Sequence, residues 1–242
     1  MISVCLSSFN GEHYIHEQIQ SILCQLNIED ELIISDDGST DRTLEIVKCI
    51  DDRRIHIITN HTKKGVISNV ENALKLAKGE YIFLSDQDDI WLPDKVSISI
   101  SALQQFDLVV SDCYVTDKEL KISHDSFFRL NNSQQNKWKA LIRNPYLGCC
   151  MAFNRSVLNK ALPFPDKIPM HDIWIGNVAA FHFKVKFITQ KLIYYRRHGL
   201  NASTASESTK ASLFKQIEYR TSIIFNLIHQ SLNLKSTNHR TV

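Results

Sequence analysis

The chain has 242 residues, enough for one substantial domain with an extension but short for two independent domains. Apolar residues make up 43% and charged residues 22%, as in ordinary globular proteins, and 7 Gly and 5 Pro exclude a low-complexity or collagen-like chain. The formal net charge of +2 gives no electrostatic reason to expect a nucleic-acid partner.

Targeting and redox signals are weak. The 6 cysteines form no C-x-x-C pair and no zinc-finger spacing, so we expect buried, reduced thiols. The N-terminus runs directly into a strand pattern without a basic segment or a cleavage site, and no stretch approaches the ~18 apolar residues of a membrane span. We therefore predict a cytoplasmic protein, and the pattern leaves open a peripheral position on the cytoplasmic face of the inner membrane.

The first half alternates strand and helix patterns. The predicted strands are short apolar runs at residues 2–9, 31–35, 55–59 and 81–85. Between them, apolar residues recur at helical spacing from Ile15 to Leu23, from Leu44 to Ile50 and from Val66 to Ala77. Strands that alternate with helices are typical of βαβ units. We therefore predict an α/β fold with a Rossmann-like, mostly parallel central sheet and helices on both faces.

The second half is less regular. Pro93 and Asp94 suit the first turn of a helix, whereas residues 124–140 are polar and weakly patterned, which predicts an irregular flap. Further strands are predicted at residues 107–111, 148–153 and 185–195, and helices at residues 171–183 and about 210–234.

The last predicted helix carries basic residues beside aromatic ones. They are Lys210, Lys215, Arg220 and Lys235 beside Phe214, Tyr219 and Phe225. Such a pattern suits an anionic membrane surface. It equally suits packing against the main domain, and the sequence leaves both interpretations open.

Polar residues follow three of the predicted strands, where ligands bind in parallel α/β sheets. The first strand ends in Ser7, Ser8, Phe9 and Asn10, with Glu12 just beyond, and the second ends in Asp36 and Asp37. Backbone and carboxylate groups at these ends could meet a nucleoside base or ribose. A strand-to-helix turn with a helix cap is the alternative for each one alone.

Three carboxylates follow the fourth strand, at Asp86, Asp88 and Asp89. Residues i and i+2 of an extended segment point the same way, so Asp86 and Asp88 can face one site. Carboxylates this close repel one another unless a cation binds, and Mg²⁺ or Mn²⁺ prefers oxygen ligands and also binds phosphates. The alternative is a solvated acidic loop.

Together these strand ends resemble a known family. Residues 7–11, 36–41 and 79–89 are similar, in order and spacing, to glycosyltransferase family 2, and the resemblance covers about residues 1–200. The string from Ser85 to Trp91 resembles the subgroup of rhamnosyltransferases and related O-antigen and polysaccharide transferases.

The resemblance implies the GT-A fold and a domain division. Residues 1–205 would form the catalytic domain, with a nucleotide-sugar-binding half at 1–112 and a smaller acceptor-binding half at 113–205. Residues 206–242 would form a C-terminal helical extension.

The resemblance also implies residue roles. The sugar nucleotide would contact Ser7, Phe9, Asn10, Glu12, Asp36, Asp37, Asp86 and Gln87. Mn²⁺ or Mg²⁺ would be held by Asp88, with Asp86 in the same region. Asp89 would follow as an acidic neighbour of the sugar pocket. Trp91 would shape that pocket, with a buried core aromatic as the alternative.

Two later segments complete the predicted site. His171-Asp172, at a predicted helix start, resembles the family's catalytic motif, so Asp172 is the predicted base, with His171 and Trp174 beside the acceptor. A helix cap is the alternative role for Asp172. Arg196 and His198 lie in a Tyr-Arg-x-His-type segment that could reach the diphosphate or the metal. A cationic surface turn is the alternative there.

The predicted function is an inverting, metal-dependent glycosyl transfer. A glucose-, galactose- or rhamnose-type sugar would move from a UDP- or dTDP-sugar to a hydroxyl of a lipid-diphosphate-linked saccharide in bacterial surface polysaccharide synthesis. One alternative is a sugar-nucleotide nucleotidyltransferase, although the loop after the first strand lacks the usual basic, Gly-rich sequence. The other is a non-catalytic receiver-like module with an acidic pocket. No oligomeric state is predicted.

Overall fold

A mixed β-sheet forms the centre of the protein. The computed structural model describes residues 1–61, 63–198 and 213–237, with backbone alone for 213–216 and 231–237. Within these ranges the sheet has nine strands in the order β3-β2-β1-β4-β8-β6-β9-β5, and β7 pairs with β6. The strands are β1 Ile2–Ser8, β2 Glu31–Asp36, β3 Ile55–Thr59, β4 Tyr81–Asp86, β5 Ile90–Trp91, β6 Leu108–Thr116, β7 Ile122–His124, β8 Met151–Asn154 and β9 Val185–Arg196.

Helices connect the strands and cover the sheet. They are α1 Ile15–Leu23, α2 Thr43–Lys48, α3 Val66–Leu76, α4 Lys95–Leu103, α5 Phe127–Asn131, α6 Lys137–Ala140, α7 Arg155–Ala161, α8 His171–His182 and α9 Leu213–Thr237. Ile15, Ile19 and Ile22, whose helical spacing predicted α1, are buried in the structure.

The first four strands run parallel and end at the same level. Ser7 of β1 is in register with Ser35 of β2 and with Asp86 of β4, and Ser8 is in register with Asp36. β1, β2 and the centre of β4 are buried. This arrangement confirms the predicted parallel sheet, and it brings the polar strand ends to one edge.

The second half departs from the predictions in two places. The irregular flap predicted at residues 124–140 is wrong in part, because it contains α5 and α6, each capped by a polar side chain, Ser126 and Asn136 respectively. Residues 148–150 form a short 3-10 helix, so β8 begins only at Met151. The predicted division of the catalytic domain into two halves, after residue 112, lies within β6, so both halves contribute to one sheet.

The thiols are only partly buried. Cys5, Cys113, Cys149 and Cys150 are buried, as expected, whereas Cys24 and Cys49 are exposed. Each exposed thiol is the residue that directly follows a helix on the surface, α1 and α2 respectively. The expectation of buried thiols is therefore confirmed for four of the six cysteines and wrong for Cys24 and Cys49.

The predicted C-terminal helix exists as α9. Its buried residues Ile223 and Leu227 pack on the domain, and Lys160 of α7 and Gln230 exchange side chain to backbone hydrogen bonds of 3.2 and 3.0 Å. Lys210 lies outside the described residues. In the part of the chain that is described, no helix combines the length and apolar character needed to cross a membrane.

Gly176 allows α8 to approach a buried aromatic ring. A Cβ at this position would lie 2.4 Å from the Cδ2 atom of Tyr146, whose side chain is buried. We expect Gly176→Ala to lower the free energy of unfolding by about 1–3 kcal/mol, because a well-packed core tolerates an added carbon poorly. Urea unfolding measures this change.

The matched background for this test is Tyr146→Ala. Without the ring, Gly176→Ala should become neutral or stabilising, because alanine is favoured over glycine in a helix by about 1 kcal/mol. An equal loss in both backgrounds would contradict the proposed steric cause.

Candidate active site

A cleft of about 480 Å³ opens at the carboxyl ends of β1 and β4. One wall comes from the first half of the chain and the other from the start of α8 and the segment before β8. The lining residues are Ser7, Ser8, Phe9, Asp37, Lys64, Gly65, Val66, Asn69, Asp86, Gln87, Asp88, Leu147, Gly148, Met170, His171, Asp172 and Tyr195. Six of the strand-end residues predicted to bind the sugar nucleotide or the metal therefore share one cavity with the predicted base Asp172; they are Ser7, Phe9, Asp37, Asp86, Gln87 and Asp88.

Asp36 and Asp37 play different structural parts. Asp36 is fully buried and accepts hydrogen bonds from the Ser8 and Ser39 hydroxyls, at 2.9 and 2.6 Å, and from the Ser39 N–H at 2.7 Å. Gly38 turns the chain here with a φ of 86°. Asp36 therefore holds the turn, whereas Asp37 lines the cleft.

Asp37 is held by groups from the β3–α3 loop. Its carboxylate accepts from the Asn60 side-chain amide and from the Gly65 N–H, both at 2.8 Å. Lys64 lines the cleft beside it. This wall thus offers a carboxylate and a cation side by side, which suits a polar heterocycle or a ribose.

Gln87 joins the first and fourth strand ends. Its side-chain amide accepts from the Phe9 N–H at 2.8 Å and donates to the Phe9 carbonyl at 2.9 Å. A Cβ at Gly11 would lie 2.2 Å from the Gln87 Oε1 atom, so glycine permits this pairing. Gln87 shapes the cleft edge through Phe9, whose ring is 51% exposed.

Asn10 and Glu12 bind the loop before α2. Asn10 accepts from the Thr40 N–H and Glu12 accepts from the Arg42 N–H, both at 2.9 Å. Neither side chain lines the cleft. The structure therefore separates them from Ser7 and Phe9, with which the sequence had grouped them.

The carboxylates of Asp86, Asp88 and Asp89 lie close enough for their charges to repel one another. Burial, followed by the nearby charges of Asp88 and Asp172, raises the pKa of Asp86 to about 7. Burial, followed by the nearby charges of Asp88 and Asp86, raises the pKa of Asp89 well above its usual range. Asp89 accepts from the Arg196 N–H at 3.0 Å through one oxygen, and its other oxygen is buried with no hydrogen-bond partner among the described residues.

These groups fit a divalent cation. Ligand atoms of Asp86, Asp89 and Cys149 lie within 4.8 Å of one another. Mn²⁺ and Mg²⁺ prefer oxygen to sulfur, so the two carboxylates, rather than the Cys149 thiol, are the ligands that suit such an ion. The unpartnered oxygen of Asp89 and the raised pKa of Asp86 are both relieved by a hard cation, which prefers oxygen ligands.

Asp88 and His198 meet at the cleft rim. The His198 Nε2 atom lies 2.8 Å from the Asp88 Oδ2 atom, so the structure brings together two residues that the sequence assigned to the metal. The Tyr14 ring stacks on the His198 ring with centroids 4.8 Å apart, and the Arg196 guanidinium lies 4.7 Å from the Tyr14 centroid. Arg196 also forms an ion pair with Glu17 at 2.9 Å.

Two tryptophans and Asp89 lie behind the cleft rather than in its wall. Trp91 is 3% exposed, and its ring lies 4.9 Å from the buried ammonium of Lys95. Trp174 is fully buried and donates to the Ala161 carbonyl at 2.8 Å. Asp89 is also fully buried. Of the residues predicted for the sugar or acceptor pocket, His171 is the one that lines the cleft.

Asp172 faces Asp86 from the opposite wall. Burial raises its pKa, while His171, the Ile173 N–H and the Asn144 side chain stabilise the charged form. The Ile173 N–H donates to Asp172 at 2.7 Å. His171 packs over Gly148, where a Cβ would lie 2.9 Å from its Nε2 atom, and burial lowers the pKa of His171. A carboxylate with a raised pKa and a neutral imidazole are suited to accepting a proton.

The sequence missed several residues that build this site. Gln18 is fully buried and donates to the Ser85 hydroxyl at 2.7 Å and the Asp86 carbonyl at 3.1 Å, which fixes the strand end. Tyr14, Lys95 and Asn144 were likewise not predicted. A polar residue on the buried face of α1, as at Gln18, was the available signal, because buried polar groups need partners.

Comparison with known proteins is consistent with this geometry. Residues 3–162 match the family described as Glycosyl transferase family 2. The chain is 27% identical over 248 residues to the Escherichia coli UDP-Glc:alpha-D-GlcNAc-diphosphoundecaprenol beta-1,3-glucosyltransferase WfgD, covering 96% of this chain and 88% of WfgD. It is 26% identical over 245 residues to the E. coli enzyme WfaP, named for the same activity, covering 100% and 90%.

Solved structures show the same fold. Residues 1–349 of S. aureus TarS, in complex with UDP-GlcNAc, align with a TM-score of 0.72 at 19% identity, covering 95% of this chain and 69% of that chain. Mycobacterium tuberculosis glucosyl-3-phosphoglycerate synthase, in complex with Mn²⁺, UDP and phosphoglyceric acid, aligns with a TM-score of 0.59 at 20% identity, covering 95% and 78%.

The family match extends over well more than half of the 242 residues and includes the carboxyl ends of β1 and β4 at the cleft. It decides against the nucleotidyltransferase and receiver-like alternatives. The predicted α/β architecture, with its mostly parallel sheet, is confirmed by the structure and its neighbours. The chain belongs to glycosyltransferase family 2, has the GT-A fold and is a glycosyltransferase.

Proposed function

We propose that the protein is an inverting, metal-dependent glycosyltransferase with a UDP- or dTDP-sugar as donor and a lipid-diphosphate-linked saccharide as acceptor. The observation that carries this proposal is the pairing, across one cleft, of the Asp86 and Asp88 carboxylates with Asp172. A cation-binding side opposite a single base is the arrangement that a direct displacement requires.

The donor side is assigned from the first wall. Asp37 and Ser7 would contact the nucleoside, and Asp86 and Asp88, with His198 beside Asp88, would hold Mn²⁺ or Mg²⁺. When bound, the ion supplies positive charge next to the nucleoside diphosphate that leaves. Its fit is supported by the raised pKa of Asp86, which reflects carboxylates crowded in a buried position.

The acceptor side is assigned to the second wall. Asp172 would take the proton from the acceptor hydroxyl as its oxygen attacks the anomeric carbon from the face opposite the diphosphate. The bond between that carbon and the diphosphate oxygen breaks, so the anomeric configuration inverts. The Ile173 N–H, which donates to Asp172 at 2.7 Å, would orient the carboxylate.

The substrate class rests on the relatives. Two bacterial relatives that align with nearly the whole chain carry names specifying UDP-Glc as donor and alpha-D-GlcNAc-diphosphoundecaprenol as acceptor. We propose the same class here, in bacterial surface polysaccharide synthesis on the cytoplasmic side of the membrane. UDP-glucose is the first donor to test, ahead of UDP-galactose and a dTDP-deoxyhexose.

The test is a donor panel with a synthetic GlcNAc-diphospholipid acceptor and Mn²⁺. We expect transfer from one of the three donors, loss of transfer with EDTA, recovery with added Mn²⁺ or Mg²⁺, and a product whose anomeric configuration, read by NMR coupling, is opposite to that of the donor. Retained configuration would contradict the inverting mechanism. Transfer that persists in EDTA would contradict metal dependence.

A further inference from the structure

A group of large apolar side chains lies exposed on one side of the second half of the chain. We define the apolar patch as Trp138, Ile142, Ile217, Ile224, Phe225 and Ile228, whose exposed fractions run from 41% to 69%. Proteins rarely expose apolar side chains in contiguous groups unless another surface covers them.

The α9 members of the patch lie beside its packing face, not on it. At 100° per residue, Ile217, Ile224 and Ile228 fall within an arc of about 40°, whereas the buried Ile223 and Leu227 fall on another side of the helix. α9 therefore uses one apolar face to pack on the domain and keeps a second one exposed. The sequence left open whether this helix packs on the domain or contacts a membrane surface. The buried residues Ile223 and Leu227 pack on the domain, and the exposed face is available for a membrane surface.

Trp138 of α6 and Ile142, two residues after the end of α6, join the same surface. The Arg220 guanidinium donates to the Ile142 carbonyl at 2.9 Å, and Arg220 is three residues from Ile217 and four from Ile224, so it neighbours both on the helix. Trp138 is four residues before Ile142. Its ring edge rests on Phe181, with centroids 5.3 Å apart, which holds the indole outward.

The surroundings of the patch are basic. The sequence has no Asp or Glu between Asp125 and Asp166, and in that interval Arg129, Lys137, Lys139 and Arg143 are exposed. The acidic residue of α9, Glu218, is paired with Lys167 at 3.1 Å. A pocket of about 170 Å³, lined in part by Lys139 and Arg143, opens beside Ile142. Apolar side chains within a basic rim match the interface of an anionic bilayer.

The patch adjoins the acceptor side of the cleft. Ile142 is two residues from Asn144, whose side chain acts to lower the pKa of Asp172, and two residues of chain span at most about 7 Å. A surface seated on the patch is therefore close to the proposed base. We propose that the apolar patch docks the protein on an anionic lipid bilayer and brings the acceptor wall of the cleft to the membrane surface.

This inference deepens the proposed function, because a lipid-linked acceptor is held in a bilayer, but its test needs neither donor nor acceptor. The full chain is mixed with vesicles of phosphatidylglycerol and phosphatidylethanolamine, or of phosphatidylcholine alone, and bound protein is separated by flotation. We expect binding to the anionic vesicles that weakens as salt is raised. Binding to neither kind of vesicle, or equal binding to both, would overturn the proposal.

Two variants separate the apolar and the charged contributions. Trp138→Ser/Ile142→Ser should lower partitioning at least about tenfold, because two large apolar side chains no longer leave water. Lys137→Glu/Arg143→Glu should lower it on the order of fivefold for each lost charge. Ile28→Ser/Ile122→Ser, at exposed apolar positions outside the patch, is the matched control and should bind like the unmodified chain.

Thermal unfolding of each variant checks that the fold is intact, and unchanged UDP binding checks the cleft. If the patch variants bind vesicles as well as the control does, the proposal is wrong. It is also wrong if sedimentation shows that the unmodified chain forms a dimer, that the patch variant is a monomer and that neither binds vesicles. In that case a second copy of the chain covers the patch.

Discussion

Replacing Asp172 by Asn is expected to lower kcat by between about 100-fold and 10,000-fold, the usual contribution of general acid-base catalysis, while the affinity for the sugar nucleotide stays within twofold or so. Asparagine keeps the shape of the side chain and cannot accept the proton. Asp172 lies on the wall of the cleft opposite Asp86 and Asp88, so the donor contacts remain. Initial rates and calorimetric binding of UDP measure the two quantities separately.

The pH dependence provides a second readout for Asp172. Burial raises the pKa of this carboxyl, and only the ionised form can act as base. With donor and metal saturating, kcat should fall as the pH falls through this raised pKa, at a higher pH than the value of about 3.9 for an ordinary aspartate. The residual activity of Asp172→Asn should lack this acidic limb.

Asp51→Asn is the matched control, because Asp51 is exposed on the surface and does not line the cleft. Its kcat should equal that of the unmodified enzyme. Normal turnover by Asp172→Asn would show that the base is a different residue and that Asp172 contributes its hydrogen bond to the Ile173 N–H in the first turn of α8 rather than catalysis.

Replacing Asp88 by Ala is expected to abolish the metal-dependent part of nucleotide binding. Even residues that only support a metal ligand change metal affinity by about 10- to 100-fold, so loss of a direct ligand should cost at least about 100-fold. Asp88 is 8% exposed and its carboxylate contacts His198 at 2.8 Å, so the change removes both a ligand and the partner of the imidazole. Titration of UDP with and without Mn²⁺ measures the effect.

The buried cluster of Asp86, Asp89 and Cys149 offers a discriminating control. Mn²⁺ prefers oxygen ligands to a thiol, so Cys149→Ala should leave the Mn²⁺ affinity almost unchanged. If Cys149→Ala weakened Mn²⁺ binding as much as Asp88→Ala, the thiol would be a ligand and the assignment of Asp88 would be in doubt. In both variants UDP binding without metal should be preserved, which shows that the cleft is still formed.

Short-range patterns were enough to predict the first half of the fold. The buried positions of α1 repeat at helical spacing, and the strands are continuous apolar runs because both faces of the parallel sheet are covered. The second half was harder. α5 and α6 have five and four residues, too short to show a period, and their helical starts depend on caps at Ser126 and Asn136.

The candidate site, like the fold, was predicted only in part from the sequence. Asp37, Asp86 and Asp88 were placed at strand ends from their neighbours in sequence, and the structure finds them in one cleft. The burial of Trp91 and Trp174 could not be predicted, because the same residue type serves a core or a pocket and only packing decides between them. Tyr14 acts through contacts with Arg196 and His198, which are distant in the chain, and the sequence contains no local signal for them. Gln18 stands out as a polar residue on the buried face of α1, but its partners Ser85 and Asp86 could not be predicted from that position.

The sequence by itself determined that this protein has a parallel α/β core with carboxylates at the strand ends, because periodicity and strand-end polarity are local properties. Only the tertiary structure decided which of those carboxylates face the cleft, that Asp172 lies across from Asp86, and that α9 packs through Ile223 and Leu227 while a second apolar face stays exposed. These are matters of distance and burial between segments far apart in the chain, and a parallel sheet brings such segments together through its crossover connections.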